Sequence, residues 1–206
     1  MTDNARITTL TWTCGAVAWL AAALVGAGAD DGSGRFYAAE AVWLVAHTLL
    51  LTGFVALRRL DIYGQRRLGH IGFGLAIAGR LAFFVAEIVA LATGKIAEPI
   101  MPVAVLLSVA GMTLAGTAIA RQAAGDTWRR YSPLAMGLYP IVFMIPLAAA
   151  TGEPPVAAIA GWALPTLAIG LAARPQQAPA SPTATAAAPA TQNARLATDR
   201  STAGTP

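Results

Sequence analysis

The chain has 206 residues, of which 56% belong to the hydrophobic set and 12% are charged. A soluble domain of this size carries about 25% charged residues, so a water-soluble globule is disfavoured. The net charge of +4 comes without a basic, aromatic-interleaved surface, which argues against a nucleic-acid partner.

The deficit of charge is uneven. Residues 1–173 hold long apolar runs and residues 174–206 almost none, which reads as one all-α, polytopic membrane domain followed by a tail. Six apolar segments can be drawn, at about 8–28, 37–57, 70–93, 100–120, 133–151 and 155–173. Each is close to the ~20 residues that a spanning helix needs. Alanines 27 and 29 imitate a signal-cleavage site, but the run before them is too long for a signal core, so the first segment is expected to be a retained helix.

The first segment is rich in Ala and Gly and carries Trp12 and Trp19. Trp12 suits the headgroup belt, and Trp19 lies deeper, where packing is expected. Cys14 is the one cysteine, so an intrachain disulfide is impossible, and it is expected to be a small core residue. After a polar turn at Asp30 to Gly34, the second segment places Glu40, Trp43 and His47 on one helical face. The loop RRLDIYGQRRLGH follows with four arginines.

The third segment, HIGFGLAIAGRLAFFVAEIVALATG, is the one around which the chain is organised. Arg80 and Glu87 are seven residues apart, so they share a face with Phe73, Ile77, Phe84 and Leu91. A charge at mid-bilayer costs roughly 2.5–3.5 kcal/mol on insertion scales, so this face is expected to turn toward protein. Gly72, Ala76 and Gly79, like Ala82, Ala86 and Ala90, form small-residue stripes suited to close helix packing. The fourth segment begins at Pro102 and ends in RQAAGDTWRR. The fifth carries Tyr139, Pro140 and Pro146 and is expected to kink at a proline. The sixth carries Trp162 and Pro165.

Arginine placement gives the orientation. With both termini inside, Arg6, Arg58, Arg59, Arg66, Arg67, Arg121, Arg129, Arg130, Arg174, Arg195 and Arg200 are cytoplasmic, against Arg35 and Lys95 outside. The positive-inside rule prefers this arrangement in a bacterial-type plasma membrane. Residues 174–206 are Ala/Pro/Thr-rich and are expected to form a disordered cytoplasmic tail. Leu51, Gly53, Arg58 and Arg66-Arg67 recur as Leu114, Gly116, Arg121 and Arg129-Arg130. The match reads either as a hairpin repeat or as two arginine loops of equal length.

Depth counting sets His47 level with Arg80, and Glu40 level with Glu87 about 10 Å away. If the second and third helices meet on these faces, Trp43, Phe84 and Tyr139 line the same space. The cluster can lock helices together, with Arg80 paired to a glutamate. It can also bind a hydrophobic small molecule in a transport-accessory or sensory role. A third reading makes Glu40 and Glu87 the catalytic groups of an intramembrane enzyme, a general acid acting on a lipid or isoprenoid. The two histidines lie at different depths and no metal or nucleophile motif occurs, so no metal and no cofactor is expected, and the partner is the lipid bilayer itself.

The stretch RRLDIYGQRRLGHIGFGLAIAGRLAFF, the glutamate in VAEIVAL and the turn with Arg121 followed by Arg129-Arg130 together resemble a broad group of small six-helix bacterial integral membrane proteins. The resemblance covers about residues 37–173. It implies six helices and no particular activity.

Overall fold

A backbone in hydrocarbon must satisfy its polar groups internally, and a helix does so within one segment. In the computed structural model, which describes residues 3–60, 67–121, 127–152 and 154–174, every regular element is helical. These are α1 (Asp3–Gly26), α2 (Gly34–Arg58), α3 (Arg67–Thr93), α4 (Met101–Ala120), α5 (Thr127–Tyr139), a π-helical turn (Pro140–Met144), α6 (Ile145–Thr151), α7 (Val156–Gly161) and α8 (Ala163–Ala172). Five helices are long and apolar enough to cross a membrane, the fifth running from Trp128 to Thr151. The sixth apolar segment, Val156–Ala172, is shorter and is broken at Trp162. The tail beyond Arg174, and Arg66 of the first arginine loop, lie outside the described residues.

Consecutive helices are neighbours, and α8 closes the ring by packing against both α1 and α5. The tightest seam is between α3 and α4, where the small-residue stripe meets its partner. A Cβ on Gly111 would collide with the backbone nitrogen of Ala76 and lie 2.7 Å from the Gly72 carbonyl oxygen. One on Gly79 would lie 2.6 Å from the Ser108 nitrogen. Only residues without side chains let two helix backbones approach so closely. At one end of the ring the turns rely on glycine. Gly94 ends α3 with φ 71° and Gly152 ends α6 with φ 87°, a region closed to most side chains. The Ser33 Oγ caps α2 by accepting from the Phe36 N–H at 3.1 Å.

Three prolines, Pro133, Pro140 and Pro146, sit inside the fifth segment, and each leaves a carbonyl four residues earlier without its N–H donor. Pro133 lies within α5, which starts six residues before the expected boundary, and strips Arg129. The Ser132 hydroxyl donates to that carbonyl instead, at 3.0 Å. Pro140 strips Met136, and the backbone widens there into the π turn. The expected proline distortion is thus at Pro140, and the Trp162 indole N–H supplies the missing donor to Met136 at 3.1 Å.

Two expectations are corrected. Trp12 is fully buried, edge-on to Phe54 at 4.8 Å, and does not lie in a headgroup belt. The slots that admit it are Gly53 and Gly170, whose missing Cβ atoms would touch its side chain. Cys14 faces outward from α1 and is exposed. The matching spacings around Gly53 and Gly116 do not mark matching contacts. Gly53 in α2 receives α1, the helix before it, whereas Gly116 in α4 receives Leu134 of α5, the helix after it.

Candidate functional site

The site is built where α2 and α3 face one another beneath α1 and the α7–α8 break. Arg80 is buried completely, and its guanidinium carbon lies 5.1–5.9 Å from the ring centres of Trp162, Trp19, Phe83 and Phe54. Such contacts each contribute about 0.5–2 kcal/mol when desolvated. Its Nη1 donates to His47 Nδ1 at 3.4 Å. A guanidinium can only donate, so Nδ1 accepts and the imidazole proton sits on Nε2. That nitrogen lies 3.5 Å from Glu87 Oε1. The result is a chain, Arg80 to His47 to Glu87, whose links are long and therefore individually weak. Among the described residues no carboxylate is within ion-pair distance of Arg80.

Glu87 and Glu40 then face each other from α3 and α2, within reach of one carboxyl–carboxyl hydrogen bond, which requires a proton on one of them. The depth counting is borne out: His47 meets Arg80 at one level and Glu40 meets Glu87 at the next. Glu87 Oε1 is turned to His47, and Glu40 Oε2 and Glu87 Oε2 are buried and accept from no N–H.

These carboxyls and His47 lie on the wall of a cavity of about 390 Å³. Trp19, Trp43, Phe83 and Trp162 supply aromatic surface, and Val105, Met144 and Ile159 supply aliphatic surface. The cavity reaches the glycine-turn end of the bundle, where the exposed Ile96 and Pro154 border it. A second cavity, of about 200 Å³, shares Glu40, Trp43, Ile96 and Ile159 with the first. Arg80 is absent from both linings.

Of the residues nominated from sequence, Glu40, Trp43, His47 and Glu87 line the cavity and Arg80 lies behind it. Phe84 does not join them. It is half-buried, and Phe83 takes the place, stacked on His47 at 4.8 Å with 7° between the planes. Positions i+3 and i+4 from Arg80 are both admissible on one helix face; what selects Phe83 is that α3 turns Ala76 and Gly79 toward α4. Tyr139 is also elsewhere: its hydroxyl donates to Ala158 at 3.0 Å and packs against Gly161. Sequence reading missed Trp162 as part of the site, although the unpaired Met136 carbonyl was a signal that some donor had to arrive there. Trp19 proves to be the packing residue expected, edge-on to Trp43, His47 and Trp162 at 4.6–5.5 Å.

No protein-family model, curated protein or solved structure matches this chain. The likeness to small six-helix membrane proteins therefore brings no residue assignments, and the site stands on its own geometry.

Proposed function

We propose that this is a six-crossing protein of a bacterial-type plasma membrane that binds a hydrophobic small molecule between α1, α2, α3 and the α7–α8 segment. The observation that carries the binding reading is the aromatic cavity of about 390 Å³ with Glu40, His47 and Glu87 among its lining residues. Ligand pockets are mostly apolar and hold a few convergent polar groups. A cluster serving only to join helices would have closed on itself, with Arg80 against a glutamate and no void. A transport-accessory or sensory role is consistent with a site that reaches one end of the bundle.

Support for the sixth crossing comes from Arg129 at the start of α5. Its Nη1 donates to Arg174 at 3.0 Å and to Ala172 at 3.4 Å, which ties the end of α8 to the arginine-rich end. That end carries Arg58, Arg59 and Arg121 and is assigned to the cytoplasm with both termini. In a Cys14→Ala background, single cysteines replacing Arg59, Lys95 and Arg174 test this in intact cells. An impermeant maleimide is expected to label the cysteine at 95 alone. Labelling at 174 as well would reduce the count to five.

Binding is tested with neopentylbenzene and its charged counterpart benzyltrimethylammonium. Either is expected to change tryptophan emission saturably, because Trp19, Trp43 and Trp162 line the cavity. Val105→Phe, which fills it, is expected to abolish the change. If neither compound gives a saturable signal with the unaltered protein, the binding reading fails. A second reading, an intramembrane enzyme, is favoured by one feature: carboxyls facing aromatic rings can protonate an isoprenoid double bond and shelter the cation formed. Conversion of an isoprenoid such as farnesol, lost in Glu87→Gln, would select it.

A further inference from the structure

Resting on the binding reading above, we infer that the cavity takes a lipophilic organic monocation, which enters in exchange for one proton held between Glu40 and Glu87. The first argument is charge. One guanidinium, Arg80, stands against two carboxyls, and a neutral His47 connects them. With both carboxyls ionised, the cluster carries one uncompensated negative charge. Among the described residues of the cavity wall, α1 contributes Trp19, α4 Met101 and Val105, and α7 and α8 flank it with Ile159 and Trp162. None of these titrates, so the balance must come from a proton or from a bound cation.

The second argument is which atoms a ligand meets. Glu40 and Glu87 line the cavity, and an ionised carboxylate can only accept. The unpaired donors, Arg80 Nε and Nη2, are not on the cavity wall and lie behind the rings of Trp19, Phe83 and Trp162. An anionic ligand would meet acceptors and aromatic faces, both repulsive to it. A cation finds carboxylate oxygens and the negative faces of Trp19, Trp43, Phe83 and Trp162. In the exchange the O–H bond of the shared proton breaks, the proton leaves to water at the glycine-turn end, and the ligand brings in the charge that departs. Nothing is oxidised and no other bond changes.

Benzyltrimethylammonium is the probe because it has no proton of its own to confuse the count, and neopentylbenzene is the same shape with carbon in place of nitrogen. With the purified protein in detergent, after correction for partition into empty micelles, the cation is expected to bind at least about tenfold more tightly. Its affinity is expected to fall by up to about tenfold per pH unit on acidification, and close to one proton should be released per cation bound in weak buffer. Glu40→Gln removes the excess charge. It is expected to lose the preference for the cation and the proton release, with helical circular dichroism reporting that the variant is folded. Glu87→Gln serves as the second variant. Equal affinities for the two probes would overturn the inference and leave the binding reading standing. Tight cation binding without proton release would overturn the exchange. Failure of both probes would remove the binding reading and this inference with it.

Discussion

The indole of Trp162 makes a compensation that can be measured. Replacing Trp162 by Phe keeps an aromatic ring near Arg80 but removes the donor to the Met136 carbonyl, 3.1 Å away. A buried carbonyl left unpaired costs about 1–3 kcal/mol. Hydrogen bonds between helices in membranes come out lower, averaging about 0.6 and reaching about 1.7 kcal/mol, because the unfolded chain in the membrane also finds partners. The smaller ring adds roughly 1 kcal/mol of lost packing, so the single change should destabilise by about 2 kcal/mol. Pro140→Ala supplies the missing N–H to the same carbonyl from within the helix. In that background Trp162→Phe should lose only the packing, leaving a coupling of about 1 kcal/mol. Unfolding by sodium dodecyl sulfate in mixed micelles, followed by circular dichroism on all four proteins, reads it. Distant sites add within about 0.3–0.5 kcal/mol. Additivity within that range would show that the indole is not standing in for the proline's absent donor.

The α3–α4 seam gives a matched pair: Gly111→Ala should destabilise by about 1–3 kcal/mol, because its methyl meets the Ala76 backbone. Gly74→Ala, with open space around it, should be neutral or stabilising by up to about 1 kcal/mol; equal effects in an unfolding titration would refute the close approach. Cys14→Ala should change stability by less than about 0.5 kcal/mol, since the thiol faces outward. A loss above 2 kcal/mol would return it to the core. Ser132→Ala should destabilise by about 1 kcal/mol through the Arg129 carbonyl, and much less when Pro133 is also replaced by Ala.

The elements that crossed from sequence to structure unchanged are those whose signal is one-dimensional. The extents of the first four helices follow from run length to within five residues, the α3–α4 seam from the Gly72, Ala76 and Gly79 stripe, and the pairing of levels from counting 1.5 Å rises. What failed needed knowledge of a partner. Whether Trp12 sits at an interface or in the core depends on Gly53 and Gly170, 41 and 158 positions away in sequence. The choice between Phe83 and Phe84 depends on how far α3 is rotated, which α4 decides. Tyr139 lies in the fifth segment, and its place in the run does not say toward which neighbour it points. The sixth segment reads as one run, but Trp162 breaks it and donates across to Met136 of α5.

These failures bear on why the cavity exists at all. One face of α3 is held to α4 at backbone distance by glycine, so α3 cannot lean toward α2 without opening that seam. Beside that seam the spacers toward α2 are long or planar side chains: Arg80, Phe83 and Glu87 against His47 and Glu40. Near Arg80 the four rings fill the gap. At the glutamate level the carboxyls are too short to fill the same width, and the space left over is bounded by Trp43 and Ile159. Filling it with hydrocarbon would be simple for a helix that only had to pack. The chain instead keeps two acidic groups at that level, more than nine-tenths buried, with each other and His47 as their polar neighbours. Buried acidic groups are destabilising, and they persist most readily where something outside the chain completes them.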